Sequence, residues 1–154
     1  LKNKIKLNQR LKKYFINQYF MPNIQLQLTD KIKKFANTSI DISDGLLADL
    51  DKMINSQKLS YKLFLKDIPI SNNLKKILVH KKLSKVNCIF NGDDYQILFT
   101  ASKNKRRIIR KIATNFRIKL TKIGLTQNIA KKSSIVDDKS IQINLNNKGY
   151  FHKF

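Results

Sequence analysis

Tryptophan is absent from this 154-residue chain, and it holds a single cysteine, two prolines and four glycines. Cys88 has no partner for an intrachain disulfide, and its apolar surroundings predict a core position in a reducing, intracellular (cytoplasmic) setting. So few glycines and prolines leave no low-complexity linker, and no internal repeat is visible. The patterns GxxxxGK[ST], GxSxG, HExxH and CxxC are missing, which removes the common nucleotide-loop, serine-hydrolase and zinc chemistries. His80 and His152 stand too far apart to suggest a shared metal. No run reaches the roughly 18 apolar residues of a membrane span, and the lysine-interrupted start lacks a signal peptide's apolar centre.

Acidic residues are also scarce, 10 against 32 lysines and arginines, for a formal charge of +22. That excess raises nucleic acid, an anionic membrane surface or a phosphorylated ligand as partners. The cations are scattered along the whole chain rather than gathered in one run, so a solvated basic surface is favoured over a dedicated nucleic-acid site. Hydrophobic residues at 42% suffice for one core at this length, so one folded domain is expected.

Ile5, Leu7, Leu11, Phe15, Ile16 and Tyr19 recur at near-helical spacing up to Pro22. Residues 1–22 read as a helix and connector belonging to an absent N-terminal half, since the chain opens on Leu1, and residues 23–154 as the domain itself. A short helix is expected from Thr29 or Asp30. Thr38 to Ile42 reads as a strand, and an amphipathic helix carrying Leu46, Leu47, Leu50, Met53 and Ile54 follows. A strand over 61–65, a helix over 72–80 and a basic helix bearing Ile108, Ile109, Ile112 and Phe116 come next. Cys88–Phe90 and Tyr95–Thr100 are expected to pair about an Asn91-Gly92 turn, and 118–123 and 140–145 to form strands. Interspersed helices and strands predict an α/β (α+β) sandwich with a mixed sheet.

The few acids cluster: Asp41, Asp44, Asp49 and Asp51 lie in one short segment, and Asp93 and Asp94 in one loop. A period-2 strand puts Asp41 and Ser43 on one face with Asp44 at the turn, and their oxygens can converge to suit a hard cation, which phosphoryl transfer requires. Taken alone, Ser43-Asp44-Gly45 is first of all a helix cap, Asp49 and Asp51 are exposed helix positions, and Asn91 to Asp94 is an ordinary turn.

The combination is more specific. Ala36-Asn37-Thr38-Ser39-Ile40-Asp41-Ile42-Ser43-Asp44-Gly45-Leu46-Leu47-Ala48-Asp49-Leu50 resembles the A-x-x-x-I-D-[IL]-S-D-G-L-x-x-D-L segment of thiamine-monophosphate kinases. In order, Ile68-Pro69-Ile70-Ser71 is similar to the family's L-P-[LF]-S, and Asn91 to Thr100 to its G-G-[DE]-D-Y-E-L-[LC]-F-T. Lys122-Ile123-Gly124 and Gly149-Tyr150-Phe151-His152-Lys153-Phe154 resemble the later x-I-G and G-Y-x-H-F, so coverage runs from about Tyr19 to the C-terminus.

The resemblance implies the three-layer α/β/α sandwich of the aminoimidazole ribonucleotide synthetase superfamily. It implies transfer of the ATP γ-phosphoryl group to thiamine monophosphate, with several Mg2+ ions and a homodimer for the whole enzyme. By motif position, Asp41 and Asp44 would be magnesium ligands, Ser43 would contact ATP, and Asp93 and Asn147 would contact the thiamine substrate. Asn147 stands where the family often carries a stacking aromatic residue; Asn91 and Gln96 replace a glycine and a glutamate. The family's N-terminal half, with its own aspartate-rich segment, has no counterpart in these residues, so the chain by itself should hold only part of each ligand. A superfamily relative acting on another small phosphorylated or amine substrate is the alternative enzyme reading, and a basic nucleic-acid-binding domain the alternative from another class.

Overall fold

The computed structural model describes residues 5–143. The elements run α1 (Gln9–Phe20), α2 (Leu26–Ile32), β1 (Ala36–Asp41), α3 (Leu46–Asn55), β2 (Leu59–Phe64), α4 (Asn72–His80), β3 (Ile97–Ala101), α5 (Arg106–Asn115), β4 (Gly124–Asn128) and β5 (Ser134–Val136). This is the expected α+β architecture with a mixed sheet, its strands divided between two sheets. β1 and β3 form an antiparallel ladder in which Asp41 lies opposite Ile97. β2 is central in the other sheet, antiparallel to β4 and parallel to β5.

Strand periodicity explains the layering, because successive side chains point to opposite faces. On β3, Ile97, Phe99 and Ala101 pack with Leu28, Ile32, Phe35 and Ile112 of the α2 and α5 side. Leu98, between them, joins the main core with Ile40, Ile42 and the apolar stripe of α3. That stripe, Leu46, Leu47, Leu50, Met53 and Ile54, also meets Tyr61 and Leu63 of β2 and Ile135 of β5. Each such side chain contributes about 1.5–3 kcal/mol on burial. α3 is therefore clamped against both sheets, and its N-terminal turn is held in a fixed place at the end of β1.

Several sequence expectations need correction. No β-hairpin joins Cys88–Phe90 to β3: Lys85–Cys88 is a single 3-10 turn, and β3 pairs with β1 instead. The apolar residues taken for a strand, Ile89 and Phe90, are core anchors of a connector. Residues 118–123 form no strand, since Ile118 and Leu120 pack onto the α2 and α5 cluster. The ladder with β2 opens only at its far end, where Phe64 N–H donates to the Ile123 carbonyl at 2.8 Å. Of the 140–145 strand, the described part makes one bridge, Gln142 to Val136, while residues 134–136 form the strand the periodicity missed. α2 begins before Thr29, at Leu26, with no side-chain cap. α4 matches its expected bounds, and Ser71 of Ile68-Pro69-Ile70-Ser71 caps it by accepting from Leu74 N–H.

α1 has no buried residue, and Ile16, Tyr19, Phe20 and Met21 at its end are exposed. Among the described residues no helix is long and apolar enough to cross a membrane.

Candidate functional site

Two loops that are about 50 residues apart in the chain are zipped together beyond the end of the β1–β3 ladder. Ile42 N–H donates to the Gln96 carbonyl, Tyr95 N–H to the Ile42 carbonyl and Asp93 N–H to the Ser43 carbonyl, all at 2.9 Å. The main chain of Asn91 to Gln96 thus runs alongside Ile42-Ser43-Asp44. Glycine is required on both sides of this approach. A Cβ on Gly92 would lie 2.0 Å from the Ser43 carbonyl oxygen. A Cβ on Gly45 would lie 2.7 Å from the Phe90 carbonyl oxygen, and its φ of +112° is open only to glycine.

Gly45 is itself the residue preceding α3, and no side chain caps that helix. The capping role open to Ser43 and Asp44 from sequence alone is therefore not the one they play. The turn is organised instead from inside the helix by Asp49, which is 1% exposed rather than a solvent-facing position. Its Oδ2 accepts both Ser43 N–H and Asp44 N–H at 2.9 Å. Its Oδ1 accepts from Lys52 Nζ at 3.0 Å. Lys52 bridges on to Asp44, and the two carboxylates, Asp44 foremost, hold its ammonium above the ordinary lysine range. The signal for Asp49 was present in its one-turn offset from the Ser43-Asp44-Gly45 break, but a helix drawn from sequence does not say that the preceding turn folds back over it. Asp51 lies elsewhere, against the Tyr61 phenol, whose pKa is pushed up by burial first and by Asp51 second.

Asp41 is exposed at the end of β1, and Ser43 is half-buried with both backbone groups committed. Asp93 is exposed across from them at φ +64°, accepting from the Tyr95 hydroxyl at 3.2 Å. Tyr95 also adopts a left-handed φ, +50°, a conformation costing about 1–3 kcal/mol for such a residue and maintained here by its main-chain bond to Ile42. A cleft of about 300 Å³ opens between this loop and the end of α1, lined by Tyr19, Pro22, Asn23, Gly92, Asp93 and Asp94 among others. The structure thus gathers Asp41, Ser43, Asp44 and Asp93 around one pair of loops. Asn147 lies outside the described residues.

No group of three or more His, Cys, Asp or Glu poised to hold a metal occurs among the described residues. Two carboxylates, Asp41 on the strand end and Asp44 on the turn, are a donor set suited to Mg2+ that shares its remaining positions with water and phosphate oxygens, not to an all-protein cage.

Asp94 retains open surface, yet its carboxyl sits under neighbouring atoms: desolvation, then Asp93, raises its pKa above the ordinary 3.8. A raised carboxyl pKa means that the folded state prefers the proton. The resulting penalty is absent below 3.8, grows as pH rises from there to the folded-state value, and is constant above it. Asp94→Asn should therefore raise the melting temperature at pH 7 by about 2 °C, with the gain vanishing on acidification below the ordinary carboxylate value. Melting curves at pH 3 and 7 check this; a gain that is equal at both would overturn the desolvation account.

No protein-family model matches the chain. A thiamine-monophosphate kinase of Buchnera aphidicola subsp. Acyrthosiphon pisum (strain APS) is 31% identical over 148 residues, covering 94% of this chain and 44% of the relative. A crystal structure of thiamine-monophosphate kinase from Stenotrophomonas maltophilia K279a superposes with a TM-score of 0.73 at 24% identity, over 87% of this chain and 41% of that one. The structure of AaThiL complexed with AMPPCP and TMP gives 0.73 at 24% identity, over 99% of this chain and 44% of that one. The two structural likenesses establish a shared fold. The chain spans less than half the length of the curated relatives it matches.

Proposed function

Because the chain is homologous to thiamine-monophosphate kinases over almost all of its length, we propose that it is the C-terminal half of such a kinase and completes its site only with an N-terminal half. The reaction is transfer of the γ-phosphoryl group of ATP to thiamine monophosphate. A phosphate oxygen of the monophosphate forms the new bond to the γ-phosphorus, the bond from that phosphorus to the β–γ bridging oxygen breaks, and ADP and thiamine diphosphate leave.

The observation that supports this reading is the main-chain pairing of the Ser43-Asp44-Gly45 turn with the Asn91 to Gln96 loop, which brings together the segments bearing Asp41, Asp44 and Asp93. Asp41 and Asp44 would hold Mg2+ at the end of β1 and on the turn. Bound there, Mg2+ neutralises charge on the transferring group. Ser43 offers its hydroxyl to the nucleotide at the same turn. Asp93, at the cleft with Tyr19 and Asp94 nearby, faces the cationic thiamine ring system, for which an aromatic face and carboxylates are complementary. Asn147 is carried as a second substrate contact. No side chain needs to form a covalent intermediate, so positioning and charge neutralisation supply the rate.

Residues 1–22 are the connector to the N-terminal half, consistent with a helix that buries none of its own residues. Mg2+ as the metal, a homodimeric whole enzyme and a cytoplasmic setting are parts of the proposal supported by the resemblance.

The test is conversion of thiamine monophosphate to thiamine diphosphate, with ATP and Mg2+, by this chain joined to the N-terminal part of the 31%-identical relative. Conversion by the joined protein and none by the chain alone is expected. A well-folded joined protein that leaves thiamine monophosphate untouched but phosphorylates another small substrate would replace this assignment with the superfamily relative.

A further inference from the structure

We propose that Lys52 is a built-in counter-cation for Asp44, occupying its carboxylate until a divalent cation displaces it. The inference rests on the metal role given above to Asp44 and adds a residue to it. Lys52 bridges Asp44 and Asp49, but the two carboxylates are not equivalent. Asp49 is 1% exposed, both of its oxygens are engaged, and Oδ2 holds the turn's two N–H groups, so it has no oxygen to offer a metal. The Asp44 side chain is 30% exposed, on the open side of the same turn. The Lys52 side chain is 52% exposed and approaches from solvent, so it can leave Asp44 while still bonded to Asp49.

Charge explains why a lysine belongs there. Lys52 bridges Asp44 and Asp49, so two carboxylates of one turn lie within reach of a single ammonium. Two carboxylates held this close to one ammonium repel each other and strain the turn unless a cation lies between them. A lysine that is held from below by Asp49 neutralises Asp44 in the metal-free chain and yields it when a doubly charged ion arrives. Cation binding is then an exchange, and its affinity is set against Lys52.

The test is titration of the chain with Mn2+, the free ion being followed by its electron paramagnetic resonance signal. Lys52→Gln removes the charge but keeps an amide able to donate to Asp49. Its Mn2+ affinity should rise about tenfold over the native chain, a Coulombic gain discounted for exposure. Lys52→Arg should bind as the native chain does, and adding Asp44→Asn to Lys52→Gln should erase the gain. The nitrogen resonance of the Lys52 ammonium should also shift on Mg2+ addition while that of Lys62 stays. If Asp44→Asn abolishes Mn2+ binding and Lys52→Gln leaves it unchanged or weaker, Lys52 is only a brace and the metal role stands without it. If neither the native chain nor Lys52→Gln binds Mn2+, the same titration of the joined protein decides, and an Mn2+ affinity there that Lys52→Gln leaves unchanged overturns the counter-cation role.

Discussion

Asp49→Ala is expected to lower the stability of the chain by about 3 kcal/mol, because it leaves two backbone N–H groups and one arm of a lysine without their acceptor at a buried position. The loss should appear as a shift of the urea midpoint with an unchanged slope. Asp30→Ala, at an exposed position on α2, should stay within about 0.5 kcal/mol of the native chain. The distinction matters because Asp49 looks like one more member of an acidic cluster. Its geometry makes it the residue that shapes the Ser43-Asp44-Gly45 turn, and so the direction in which Asp44 points. An Asp49→Ala chain as stable as the native one would remove it from that role.

Asp44→Asn in the joined protein should reduce turnover about a thousandfold, which corresponds to about 4 kcal/mol of transition-state stabilisation, without unfolding the chain. The amide keeps the shape of the side chain but can neither hold Mg2+ well nor neutralise Lys52. Folding should change by less than about 1 kcal/mol, since the Asp44–Lys52 pair is exposed and Asp49 keeps its own bonds. Binding of thiamine monophosphate should be little altered, because Asp93 sits on the other loop. Single-turnover assays beside a urea titration separate the two effects. Retained turnover would overturn the assignment of Asp44. Asp44 and Asp49, one turn of helix apart in effect, should thus fail in different ways, one in chemistry and the other in folding.

Much of the fold was legible where local chemistry and tertiary demand agreed. α3 and α4 carry regular apolar stripes and were read correctly, as was α5 with Ile108, Ile109 and Ile112 on one face, although Phe116, expected on the same face, caps the helix end and is exposed. Ile118 and Leu120 misled because β-branched and apolar residues suit a packed connector as well as a strand. Asn91-Gly92 misled in a more useful way: the glycine is needed not for a hairpin but for contact with a main chain about 50 residues distant.

The sequence by itself determined the helical stripes, the strand bearing Asp41, and the ordered motifs that resemble those of thiamine-monophosphate kinases, since all of these depend on residue type and short-range spacing. Tertiary structure alone decided that β1 takes β3 as its partner, that Gly92 lies on Ser43, that Asp49 turns inward while Asp41 stays open, and that Lys52 faces two acids at once. The physical reason is that burial and main-chain pairing depend on what another part of the chain brings near. Two aspartates eight residues apart are alike until one of them is covered.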